Sequence, residues 1–74
     1  MSRYAEFVKI YRKKGENPPQ PVESRLYVDL LAIVACEEYS DDETKIVIGQ
    51  YSYIVRMPYD KVRSLMDEAR VRSY

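Results

Sequence analysis

Apolar residues run through most of this chain in short extended stretches and recur at helical spacing only near its end. Residues 4–12, Tyr-Ala-Glu-Phe-Val-Lys-Ile-Tyr-Arg, are rich in aromatic and β-branched types and predict a first strand. A segment with Gly15, Asn17, Pro18, Pro19 and Pro21 follows, and such punctuation predicts a long loop over about residues 13–24. Leu26-Tyr27-Val28 resumes extended structure. Asp29 is placed to cap a single turn, Leu30-Leu31-Ala32, by accepting a backbone N–H. Ile33 to Tyr39 predicts a further strand, and Ser40-Asp41-Asp42-Glu43 a polar turn. Thr44 to Ile48 and Tyr53 to Met57 flank a Gly49–Ser52 turn and give the clearest hairpin signal.

Pro58 suits the first turn of a helix. Tyr59, Val62, Leu65, Met66 and Ala69 then form one apolar stripe, with Leu65 at its middle as the expected anchor. A helix is predicted over about Pro58 to Arg70, with Asp60 near the positive end of its dipole and Arg70 and Arg72 near the negative end. The expected fold is one α+β domain over residues 1–74, with an antiparallel sheet of three or four strands packed on one face by the C-terminal helix.

One helix covers one sheet face. Yet Phe7 and Tyr11 alternate with Val8 and Ile10, Val47 with Ile46 and Ile48, and Tyr53 and Val55 with Ile54. A sheet with a wet face should alternate apolar and polar residues cleanly. Either a partner covers the second face or the sheet curls on itself. The first is the preferred expectation, with Phe7, Tyr11, Val47, Tyr53 and Val55 as the candidate interface. At 74 residues a core is marginal, and small chains often gain stability from disulfides, metals or association. A single cysteine closes the first route, and the lack of histidine argues against the second. The eight tyrosines suit a contact surface, since tyrosine combines apolar area with a hydroxyl.

From Leu26 onward the order of elements resembles the short flagellar FlbD, or swarming-motility, protein family. The matching residues are Tyr27-Val28-Asp29, Ile33, Thr44 to Ile48, Tyr53-Ile54-Val55 and the helix with Val62 and Leu65, over residues 26–68. Phe7 to Arg12 aligns with the family's first strand. The chain departs from the pattern at the hairpin, which has Gly49-Gln50-Tyr51-Ser52 in place of Asn-Gly, and in its proline-rich insertion at 17–21. Similar strand-and-helix modules occur among small phage and mobile-element proteins. The resemblance implies a non-catalytic accessory protein of bacterial or phage type and transfers no site residues.

Lysine plus arginine total 12 and aspartate plus glutamate total 12, so the net charge is zero. Nucleic-acid-binding domains are typically basic, which places nucleic acid second among the partners. Its candidate contacts are Arg3, Tyr4, Lys9, Arg12, Lys13 and Lys14, which interleave cations for phosphates with a ring for base stacking. Glu37, Glu38, Asp41, Asp42 and Glu43 form an acidic cluster that reads as a solvated turn. Cys36 has no histidine to activate it, and Glu37 and Glu38 are expected to raise its pKa, so it reads as a core residue. No catalytic residue, metal site or cofactor is expected. No apolar run reaches the ~18 residues of a membrane span, and a free cysteine fits a reducing compartment, so the expected location is the cytoplasm. The functional expectation is a non-enzymatic interaction module or adaptor that self-associates.

Overall fold

The computed structural model describes residues 3–12, 15, 17–18 and 20–72. In chain order the elements are β1 (Tyr4–Arg12), β2 (Pro21–Asp29), a 3-10 turn η1 (Leu30–Ala32), β3 (Ile33–Ser40), β4 (Glu43–Ile48), β5 (Tyr51–Val55) and α1 (Tyr59–Arg72). The class is α+β with one antiparallel sheet and one C-terminal helix, as expected, but the sheet has five strands, in the order β2-β1-β5-β4-β3. The additional length comes from β2. It begins at Pro21 and pairs with β1 along its whole length, from Arg12↔Pro21 to Tyr4↔Asp29. The loop expected over 13–24 therefore ends before Pro21. Pro21 is tolerated because it opens an edge strand and owes no N–H to β1.

The local signals explain most of the boundaries. Asp29 caps η1, its Oδ1 accepting from the Leu31 N–H at 3.0 Å. Ile48 pairs with Tyr51 around a two-residue loop, Gly49-Gln50. Gly49 has φ +61° and no described non-glycine residue has positive φ. The turn is thus type II′, which wants glycine at its first central position, and it is tighter than the four residues expected. Pro58 stands just before α1 and not within it; its carbonyl accepts from the N–H groups of Lys61 and Val62 at 3.1 Å. Thr44, fully buried, donates its hydroxyl to the Met57 carbonyl at 2.7 Å and fastens the β5–α1 link to β4.

The core gathers Phe7, Val28, Leu30, Ile33, Ile46 and Val55 from the strands and η1, closed by Val62, Met66 and Ala69 of α1. Leu65 is only half-buried at the rim. The expected anchor of the helix is therefore displaced to Val62 and Met66, because the helix turns this side of its stripe toward η1, β3 and β4.

The connectivity settles how the sheet is shaped. β2 and β3 are opposite edges, yet η1 alone joins them. Four residue steps span at most about 15 Å, whereas the edges of a flat five-strand sheet lie roughly 19 Å apart at ~4.8 Å per strand. The sheet must curl, bringing the Asp29 end of β2 toward the Ile33 end of β3. β1 and β5 pair only at Lys9↔Val55 and Ile10↔Ile54, and an Arg56 N–H to Val8 carbonyl bond adds one more rung. Of the two ways to cover a two-faced sheet, curling is present in the chain itself.

Candidate functional site

Strand alternation assigns side chains to faces. Ala5, Phe7, Lys9 and Tyr11 of β1 share the core-side face with Val55, Tyr53, Ile46 and Thr44, while Tyr4, Glu6, Val8, Ile10 and Arg12 share the outer face with Ile54, Lys45 and Val47. The candidate interface set does not form one surface. Phe7 and Val55 are buried in the chain's own core at 2% and 0% exposure and offer nothing to a partner. Tyr11 is exposed, Tyr53 is half-buried on the core-side face, and Val47 lies on the outer face. Alternation was visible in the sequence; which face the helix takes was not.

The outer face is partly roofed by the chain. Arg56 of the β5 end forms an ion pair with Glu23 of β2. β1 lies between these strands, so the pair crosses it as a strap, with Arg56 level with Val8 and Glu23 level with Ile10. Ile10 is only 4% exposed although it stands outside the main core cluster. The strap and the half-buried Ile54, the strand partner of Ile10, lie on the same face beside it.

The basic and aromatic residues of β1 are divided in the same way. On the outer face Tyr4 stacks on Tyr27, rings 5.5 Å apart and 11° from parallel. Arg3 sits 5.6 Å above the Tyr4 ring and forms a two-pronged ion pair with Asp29, Nε to Oδ1 at 3.1 Å and Nη2 to Oδ2. Its charge is thereby answered. Lys9 lies on the other face, 5.4 Å from the Tyr53 ring and 6.0 Å from the Tyr11 ring. Arg12 is exposed at the end of β1, and Lys13 and Lys14 fall outside the described residues. Among the described residues the strand thus presents two small cation–aromatic clusters on opposite faces.

The Asp29 carboxyl is held below its usual range, first by the hydrogen bond from Arg3 and further by the Leu31 N–H, against a partial desolvation that acts the other way. A depressed carboxyl stabilises the fold above its ordinary value and loses that contribution as pH falls through the folded value. The thermal midpoint of the parent should therefore drop on acidification below about pH 4 more steeply than that of Asp29→Asn, which keeps a capping oxygen and lacks the charge. Parallel melting-versus-pH curves for the two would refute this role.

Cys36 is half-buried on the core side of β3. Burial raises its pKa first; Arg63 and Arg70 of α1 oppose the shift, and Asp67 adds to it. The relevant acid is on the helix and not the neighbouring Glu37 and Glu38. The acidic turn is exposed at Asp41 and Asp42, while the Glu43 carboxylate accepts from the Ser40 hydroxyl at 3.0 Å. Ser40, Asp42, Glu43, Arg56 and Pro58 line an open depression of about 500 Å³. Among the described residues no three His, Cys, Asp or Glu side chains converge on a metal position, and no helix is long and apolar enough to cross a membrane. No protein-family model, curated protein or solved structure matches the chain.

The two sheet edges differ, and sequence reading missed this contrast because β2 was hidden in the loop. β3 carries register shifts between Ile33 and Ala35 and between Glu38 and Ser40, and two glutamates. Both edges carry charged side chains, so the bulges, which twist an edge away from pairing, are what set β3 apart. β2 has nine residues, no register shift, and Tyr27 at 69% exposure. Among the described residues no strand pairs with its outer edge.

Proposed function

We propose that this chain is a small non-enzymatic interaction module that associates with a second copy of itself, an accessory protein of bacterial or phage type. The observation that carries the reading is the regular edge of β2, nine residues without a register shift. An open row of backbone donors and acceptors is a template for another strand. The exposed Tyr4–Tyr27 stack beside it supplies the rigid aromatic surface that protein contacts favour. The split of Lys9 from Tyr4 and Arg12, and the neutral net charge, support protein contact over nucleic-acid contact. The resemblance of residues 26–68 to the FlbD family fits an accessory role of this kind. Sedimentation from ~1 to ~100 μM should give a dimer or larger, since an interface of ~1,200 Å² or more holds in this range. A constant mass of 8.8 kDa, that of one chain, would overturn the reading.

A further inference from the structure

We infer that the second copy docks by antiparallel pairing of β2 with β2 across a two-fold axis at Ser24, so that Glu23 of each chain faces the partner's Arg25. This rests on the self-association reading and specifies where and in what register it occurs.

The backbone fixes which groups are on offer. The Leu30 N–H donates to the Arg3 carbonyl at 2.7 Å, which makes Arg3–Leu30 a hydrogen-bonded rung. Such rungs alternate in an antiparallel ladder. Val28, Leu26, Ser24 and Val22 therefore turn their backbone groups toward β1, and Tyr27, Arg25 and Glu23 turn theirs outward. The Arg56 N–H bond to Val8 agrees: Val8 is level with Arg25 and gives its carbonyl to β5, not to β2.

Only registers that set outward residues opposite outward residues can form bonds, and charge selects among them. A two-fold at Arg25 puts Arg25 against the partner's Arg25. One at Glu23 puts two glutamates together, and one at Leu26 sets Glu23 against the partner's Asp29. Like charges directly opposite destabilise a strand pair. A two-fold at Tyr27 sets Arg25 against the partner's Asp29, but that carboxylate is already taken by Arg3 and the Leu31 N–H. The two-fold at Ser24 pairs Glu23 with the partner's Arg25 twice and sets Val22 beside the partner's Leu26 on the core-side face. Both ionic groups are exposed for the purpose. Arg25 has no ion-pair partner among the described residues, and the Arg56 contact with Glu23 falls on Oε1.

Cysteine cross-linking reads the register directly. A non-hydrogen-bonded antiparallel pair holds its Cα atoms ~4.5 Å apart, within the ~4.4–6.8 Å that a disulfide spans. Ser24→Cys in a Cys36→Ala background should oxidise rapidly to a linked dimer. Val22→Cys in the same background should not, because the two sites lie roughly 14 Å apart at ~3.4 Å per residue. Arg25→Glu and Glu23→Arg should each sediment as monomers, and an equimolar mixture should recover a heterodimer, which also shows that both variants fold. A parent dimer with no Ser24 cross-link, or with charge variants that stay dimeric, would overturn this register and leave self-association standing. A parent that sediments as one chain at ~100 μM would overturn both.

Discussion

Ile46→Ala should cost about 2–5 kcal/mol, the scale of a fully buried aliphatic truncation, and leave the domain close to its unfolding midpoint. A chain this small holds only ~5 kcal/mol or a little more in total. Ile46 is fully buried on β4 and belongs to the core cluster that Val62 and Met66 of α1 close. No neighbour can move in to fill the space without dragging a strand or the helix. Leu65→Ala, by contrast, should cost about 1 kcal/mol, because Leu65 sits at the half-wet rim of the same stripe. Urea titration of the two variants beside the parent tests the pair. Equal midpoints for both would mean that α1 docks through Leu65, and that the burial assigned to Val62 and Met66 is wrong.

That contrast shows what a sequence of this kind carries and what it withholds. Local signals were legible: the Asp29 cap, the Gly49 hairpin and the helical stripe all act within a few residues of where they are written. β2 was not, because Pro21-Val22-Glu23-Ser24-Arg25 is polar and proline-led. Most of this edge strand meets solvent, so it owes its regularity to β1 and needs no apolar alternation of its own. The curl was equally invisible. It follows from η1 joining strands that the pairing order sends to opposite edges, and pairing order is a long-range property. The site suffered the same loss. Alternation separates Phe7 and Tyr53 from Val8 and Ile54, but only the placement of α1 decides that Phe7 and Val55 are core. The contrast between a blunted β3 and a regular β2, on which the proposed contact rests, depends on knowing which strands are edges.

The strap over β1 bears on the same question from the energetic side. Two-faced hydrophobicity suggests a partner only while the second face is bare, and Ile10 is 4% exposed within a single chain. Ile10→Ala should therefore cost about 2–4 kcal/mol, within the range for buried isoleucine, whereas Val8→Ala, at a residue already 37% exposed, should cost under about 1 kcal/mol. The ion pair itself adds little, since Arg56 and Glu23 are each about half exposed; its contribution is the alkyl stems it holds over Ile10. Anything that binds only the folded state makes apparent stability depend on concentration. If a second copy buried Ile10, the gap between Ile10→Ala and its parent would widen as protein is concentrated. If the chain covers Ile10 itself, both melting points rise with dimerisation through β2, but their difference stays fixed. Melting curves at ~1 and ~100 μM distinguish these outcomes, and the expected result is a constant gap. A gap that grows with concentration would return the interface to the outer face of the sheet and remove the edge of β2 from the contact.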